Sequence, residues 1–202
     1  PAYNAEKYIS QAIESILDQT FKNFEFIIVD DASTDRTWEI IKQYSAIDKR
    51  IHIYQNKTQL GIAATRNRLI KLSKGSYIVW QDADDVSLPY RLQDQYSFME
   101  QHPKVGIVGG FLHFFDDKGN QSIRKYKSDD KIIRSHIFYY SPVAQPAAMI
   151  RRECFKTCGY LNPAYIVSSD LDMSFRIGMK YEFANIQKTI IYYRIHRSSI
   201  TS

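Results

Sequence analysis

Three acids fall within four residues at Asp82-Ala83-Asp84-Asp85, and a second pair, Asp30-Asp31, closes an earlier apolar run. Carboxylates crowded in this way repel one another, so a compensating cation is expected. Hard oxygen ligands suit Mg²⁺ or Mn²⁺, ions that bridge a few protein carboxylates to the phosphates of a ligand. Asp also follows strands as a turn residue or helix cap. That structural role is the one expected of Asp35, because Ser33-Thr34-Asp35 leads directly into a helix. Neither a Gly-x-x-x-x-Gly-Lys loop nor a Gly-x-Gly-x-x-Gly turn occurs, so phosphate would be held by metal, Arg and Lys rather than by a glycine nest. Cys154 and Cys158 lack a second Cys/His pair at ligand spacing; they read as structural thiols, not half of a zinc site.

The acids need elements to position them. Ile9, Ala12, Ile13, Ile16 and Leu17 recur at helical spacing, which predicts a helix over residues 6–19 with Asn4 as its N-cap. Residues 24–29 form a β-rich run ending at Asp30-Asp31, followed by a helix with Trp38, Ile41 and Tyr44 on one side. The cycle repeats as a strand over 50–54, a helix over 61–72 and a strand over 76–80 that ends at the second acid cluster. A helix over 91–101 is closed by His102-Pro103, and a longer strand over 105–115 runs to the turn Asp117-Lys118-Gly119-Asn120, where pairing should become mixed. Beyond it the spacing predicts a helix over 131–140, a short strand over 147–151, a helix over 169–180 and a pair of strands across 183–194. The expected fold class is α/β, with a mostly parallel central sheet, helices on both faces and a mixed, less regular second half. In such a sheet ligands bind outside the carboxyl ends of the strands, so the two acid clusters should face one site.

Composition narrows the function classes. With 202 residues, 44% of them hydrophobic, the chain can bury a core as one domain, which excludes disorder as its main state. No apolar run approaches the roughly 20 residues that span a bilayer. A net charge of +5 is mild beside the dense basic stripe of a nucleic-acid binder, so no nucleic-acid partner is expected. It is compatible with a phosphorylated small molecule or an anionic membrane face. The first residue is Pro1 and no signal-like segment follows it, so the chain reads as an excerpt, with a reduced, cytoplasmic location as the default.

Several fragments then line up in order. Pro1-Ala2-Tyr3-Asn4, Ser15-Ile16-Leu17-Asp18-Gln19-Thr20, the run ending Asp30-Asp31-Ala32-Ser33-Thr34-Asp35, Gly61 with Arg66-Asn67, and Gln81-Asp82-Ala83-Asp84-Asp85 with Pro89 occupy the first half. Ser168-Ser169-Asp170-Leu171-Asp172 and Tyr193-Arg194-Ile195-His196 follow in the second. Together they resemble family 2 glycosyltransferases of the GT-A fold.

The resemblance implies a single GT-A-like domain: a nucleotide-sugar-binding half over 1–115, lacking the family's first strand, and an acceptor-binding half over 116–202. It implies metal-dependent, inverting transfer from a nucleotide-sugar, usually UDP-linked, to a hydroxyl of a saccharide or lipid-linked saccharide, as in bacterial surface polysaccharide synthesis, at or near the inner face of the membrane. By the same resemblance Pro1 and Tyr3 lie under the base, Asp31 meets the uracil imide, and Arg66 and Asp82 serve the nucleotide or diphosphate. Asp84 is the direct ligand of Mn²⁺ or Mg²⁺ within the Asp82-Ala83-Asp84 motif, and Asp82 also serves the metal, through water. His196 matches a position near metal or diphosphate, a surface histidine being the alternative. Asp170 matches the catalytic base, with Ser169 where the family commonly has Glu and Asp172 as the rival acid. Two other readings stand beside this one: a non-catalytic nucleotide-sugar binding module, and a receiver-like signalling domain suggested by Ile27-Ile28-Val29-Asp30-Asp31.

Overall fold

The computed structural model describes residues 1–137, 139, 141–165 and 168–196. Helix α1 (Ile9–Leu17) buries Ile9, Ala12, Ile13 and Ile16, the spacing seen in the sequence. Asn4 does not cap it. Its backbone is left-handed, and its Oδ1 accepts from Thr34 N at 2.9 Å, tying the first residues to the loop after the next strand. That strand, β1 (Phe26–Asp30), pairs in parallel with β2 (Ile51–Gln55) across α2 (Thr37–Ile47), and Ala2 adds an isolated parallel bridge to Asp30. Asp35 fixes the start of α2 as expected, since its Oδ1 accepts from Thr37 N at 3.0 Å.

After α3 (Ile62–Leu72) come β3 (Tyr77–Val79), the acid cluster, β4 (Val86–Ser87), α4 (Arg91–Gln101), β5 (Val105–Asp116), β6 (Gln121–Arg124) and α5 (Asp130–Ser135). A 3₁₀ turn (Gln145–Ala147), β7 (Met149–Arg151), α6 (Arg152–Cys158), α7 (Ser169–Gly178) and β8 (Glu182–Ile195) complete the described order. The helix predicted over 131–140 is the shorter α5, and positions 138 and 140 lie outside the described residues.

Six strands form one sheet in the order β3-β7-β5-β8-β4, with β6 hydrogen-bonded to β5. The α/β layering is as expected, but parallel pairing is confined to β1–β2 and β5–β8; the other four ladders are antiparallel. Three of these ladders join segments distant in the chain, and the fourth, β5–β6, follows a tight turn. Strand β7 has three residues between a 3₁₀ turn and α6 and inserts antiparallel to both neighbours, while β6 returns through a tight turn in which Gly119 takes φ +85°. The pair of strands expected across 183–194 is one strand, β8. Exposed Gln187 and Lys188 mimic a turn, yet they sit where the register with β5 jumps from Gly109–Asn185 to Phe111–Thr189. A Cβ at Gly109 would meet Asn185 Oδ1 at 2.5 Å, so the strands can approach there only with glycine.

Leu69 of α3, Phe155 of α6 and Met173 and Ile177 of α7 pack with Ile107 and Ile150 on one sheet face; Met99 of α4 packs with Val108 and Met149 on the other. Ile9, Ile13, Ile28, Ile41 and Ile51 form a separate cluster joining α1 and α2 to β1 and β2. Between β1 and β3 lies a cavity of about 820 Å³, lined by core residues such as Ile13, Ile28, Leu69, Ile78 and Trp80 and reaching the acid cluster only at Gln81, Asp82 and Ala83. Charged Glu25, Lys74, Glu100 and Asp82 line it too, with Pro1 at its rim. Burial pushes the Cys154 thiol up to about 12, which fits a structural role.

Candidate functional site

The crowding of Asp82, Asp84 and Asp85 is relieved three ways within the chain. Asp82 Oδ1 accepts from Arg66 Nη2 at 2.9 Å, and the Arg66 side chain is 6% exposed, held on α3 beside the Trp80 ring. Asp84 Oδ2 lies 2.9 Å from His196 Nε2. Asp85 is buried, and burial together with the charges of Asp82 and Asp84 pushes its carboxyl up to about 9, so it is protonated at neutral pH. Partners within the chain thus compensate part of this crowding, and a divalent cation remains compatible with the rest.

Among the described residues no group of three or more His, Cys, Asp or Glu side chains forms a ready-made metal cage. Asp84 and His196 nevertheless present one carboxylate and one imidazole together, and a cation held mainly by substrate phosphates and water needs only one or two protein ligands. Arg66 adds a second sign of a missing ligand: its Nε is buried without a hydrogen-bond partner. The donor set thus fits a divalent cation with a diphosphate.

Asp31 sits at the carboxyl end of β1. Its Oδ1 accepts from Asn56 Nδ2 at 2.5 Å and Leu60 N at 2.9 Å, and its Oδ2 from Gly61 N at 2.9 Å. Gly61 presents that N–H from φ +85°, at the entry to α3. Burial raises the Asp31 pKa, but the donors from Leu60, Asn56 and Gly61 outweigh it and hold the carboxyl below its ordinary value of 3.8. Pro1 lines the rim beside Asp82, and Tyr3 is 44% exposed, with its ring available to a planar ligand.

Asp170 and Asp172 differ sharply. Asp172 Oδ2 accepts from Arg176 Nη2 at 2.8 Å and from its Nε at 3.1 Å, and Arg176 also donates to the carbonyls of Cys158 and Tyr160. Asp170, in the first turn of α7, is half-buried with no hydrogen-bond or ion-pair partner among the described residues. Ser169 is buried. The loop before α7 is tied to α3 by Asn67, whose amide donates to Leu161 O at 2.8 Å and accepts from Leu161 N at 3.0 Å, one position along from Arg66.

Two further cations bracket this site: Arg91, which sequence reasoning did not single out, and Arg194, quoted there only within a longer segment. Arg91, fully buried on α4, donates to Trp80 O, Pro146 O, Ser87 Oγ, Gln81 Oε1 and Gln95 Oε1, bracketing the acid loop. Arg194 lies between the rings of Tyr8 and Phe115, each centroid 4.5 Å away; its backbone N–H donates to Asp85 Oδ1 and its Nε to Asp84 O, both at 3.0 Å. The segment Tyr193-Arg194-Ile195-His196 signalled the second; nothing distinguished Arg91 from an ordinary first-turn arginine.

The family described as Glycosyl transferase family 2 matches residues 1–159. WfaP of Escherichia coli, a UDP-Glc:alpha-D-GlcNAc-diphosphoundecaprenol beta-1,3-glucosyltransferase, is 31% identical over 204 residues, covering 100% of this chain and 77% of WfaP. S. aureus TarS 1–349 in complex with UDP-GlcNAc superposes with a TM-score of 0.82 at 21% identity, over 98% of this chain and 58% of that one. The mannosyltransferase PcManGT of Pyrobaculum calidifontis, in complex with GDP-Man and Mn²⁺, gives 0.76 at 17% identity, over 98% and 56%. At such identities the two structures establish the fold, GT-A, as expected. The chain spans between 44% and 67% of three further curated relatives. The family match overturns the receiver-like alternative.

Proposed function

The chain belongs to glycosyl transferase family 2, and on that premise we propose that it moves a sugar from a UDP-sugar to an acceptor hydroxyl with inversion at the anomeric carbon. The observation that carries this reading is the grouping at one loop of Arg66, with its unpartnered Nε, and the Asp84–His196 pair. Residues 1–115 bind the donor and residues 116–202 the acceptor. Tyr3 and Pro1 support the base. Asp31 accepts the uracil N–H; cytosine presents an acceptor at that ring position, so UDP should outcompete CDP. Arg66, oriented by Asp82, donates to the diphosphate. Asp84 and His196 would hold Mn²⁺ or Mg²⁺ there, where the ion supplies neutralisation of charge on the leaving group.

Asp170 accepts the proton of the acceptor hydroxyl as its oxygen bonds to the anomeric carbon. The bond from that carbon to the diphosphate oxygen breaks on the opposite face, and its electron pair leaves with the nucleotide. Asp172 is occupied by Arg176, which favours Asp170 as the base.

The acceptor class is a saccharide carried on lipid, supported by the acceptor in the name of WfaP, and the setting is bacterial surface polysaccharide synthesis at the cytoplasmic face of the membrane. No helix of the described residues is long and apolar enough to cross a bilayer. The deciding experiment measures nucleotide release from UDP- and GDP-sugars with soluble and lipid-linked acceptors, with Mn²⁺ and with EDTA, on the whole protein. UDP-sugar turnover that needs both acceptor and cation supports the reading; tight UDP binding without turnover on any acceptor would favour the binding module suggested by Ser169 in place of Glu.

A further inference from the structure

Strand β6 projects from the sheet edge with all four residues exposed. It continues into Lys125, Tyr126 and Lys127, so Arg124, Lys125 and Lys127 place three cations within four residues. None of the three lies within ion-pair distance of a carboxylate among the described residues. Nearby acids are engaged elsewhere. Asp116 accepts from the backbone of Lys118 and Asn120 within the hairpin turn, Asp117 pairs with Lys7, Asp129 caps α5, and Asp130 pairs with Arg134. No ion pair among the described residues therefore neutralises the three cations of this edge.

Apolar side chains interleave with it. Ile123 is 52% and Ile195 44% exposed, and with Phe114, Ser122 and Arg124 they line an open recess of about 410 Å³. The run is not slack: Gln187 Nε2 donates to Tyr126 O and Asn185 Nδ2 to Lys127 O, pinning it along β8. Ile195 directly precedes His196, the partner of Asp84, so this edge adjoins the proposed reaction centre.

We propose that this edge seats on an anionic lipid bilayer, with Ile123 and Ile195 entering the interface while Arg124, Lys125 and Lys127 meet lipid phosphates. A polyanion in water, such as a nucleic acid, would gain nothing from the exposed isoleucines, whereas an interface accepts both. Docking here would present the membrane-borne acceptor beside His196; this deepens the proposed function and rests on its lipid-linked acceptor.

The test is co-sedimentation of the whole protein with phosphatidylcholine vesicles, alone or containing about one third phosphatidylglycerol. Binding should require the anionic lipid and weaken with salt. Each cation near such a surface contributes about fivefold to partitioning, so the R124E/K125E/K127E variant should lose at least about 10²-fold. I123S should weaken binding about tenfold, from the transfer of one exposed isoleucine. UDP binding should be unchanged in both variants; loss of soluble-acceptor turnover with vesicle binding intact would assign this edge to the acceptor site and overturn the docking surface, whereas a wild-type protein that binds anionic vesicles but transfers no sugar would sink the catalytic reading alone. Equal binding to neutral vesicles, or a triple variant that binds phosphatidylglycerol like wild type, would overturn the docking surface. A triple variant that keeps vesicle binding but self-associates would show instead that these cations guard a strand edge.

Discussion

Replacing Arg91 with Met removes the group that holds the acid loop from beneath. The guanidinium is fully buried, and burial pushes its pKa down to about 9, still charged at neutral pH. Its Nη2 donates to Trp80 O and Pro146 O at 2.8 Å each, its Nη1 to Ser87 Oγ at 2.9 Å and Gln81 Oε1 at 3.3 Å, and its Nε to Gln95 Oε1 at 3.2 Å. Gln81 and Ser87 also bond each other and so keep a partner, which is not shown for Gln95 Oε1 or the two carbonyls. Each buried acceptor left without a donor costs about 1–3 kcal/mol. Relief of guanidinium desolvation offsets part of this, and Asp85, protonated at neutral pH, is not left as a bare carboxylate. The expected net loss is about 3–5 kcal/mol, a fall in Tm of about 6–20 °C for a chain of this length. Urea unfolding followed by the fluorescence of buried Trp80 measures it. Arg91→Lys should recover less than half, because an ammonium cannot span both carbonyls. A double-mutant cycle with Asp85→Asn near neutral pH should give a coupling below about 1 kcal/mol. A loss under about 1 kcal/mol for Arg91→Met would refute the scaffold role, and strong coupling would show that Asp85 is ionised.

Calorimetry with UDP and Mn²⁺ should show Asp84→Ala weakening binding at least about tenfold and Asp82→Ala less, because Asp82 acts through Arg66; equal binding in EDTA and in both variants would remove the metal site. Asp170→Asn should lower turnover by about 10²- to 10⁴-fold with the UDP dissociation constant unchanged. Asp172→Asn should keep turnover and lose only a helix-surface ion pair of about 0.3–0.5 kcal/mol; a dead Asp172→Asn beside an active Asp170→Asn would reverse the assignment. The folded pKa of Asp31 is depressed, so its stabilising contribution is complete above its unfolded value of about 3.9 and is lost as pH falls through the lower folded value. Asp31→Asn should accordingly be less stable than wild type near neutrality and show a shallower loss in acid titrations; identical acid limbs would contradict the hydrogen-bonded carboxylate.

Local signals were legible wherever local physics decides. Helix α4 has the expected bounds because His102-Pro103 stops it, and β1 ends at Asp30, where the apolar run ends. Helix α6 was missed because seven residues are too few to show a periodicity. Strand β8 was divided in two because a bulge exposes polar residues just as a turn does. Pair direction was misjudged because the partners of β7 come from distant segments. The same distinction governs the acids. Their number and spacing are local and plainly visible, whereas what compensates them is not. Arg66 comes from α3, Arg91 from α4, His196 and Arg194 from the end of β8, and the neutrality of Asp85 from burial beneath all of them. A count of carboxylates therefore shows the crowding but not how it is compensated. The stronger pointer to a ligand is the opposite kind of feature, a buried donor on Arg66 that no described residue satisfies, beside the Asp84–His196 pair. A loop whose charges are balanced internally can stand without metal, so any cation dependence should appear in nucleotide affinity and turnover rather than in the stability of the fold.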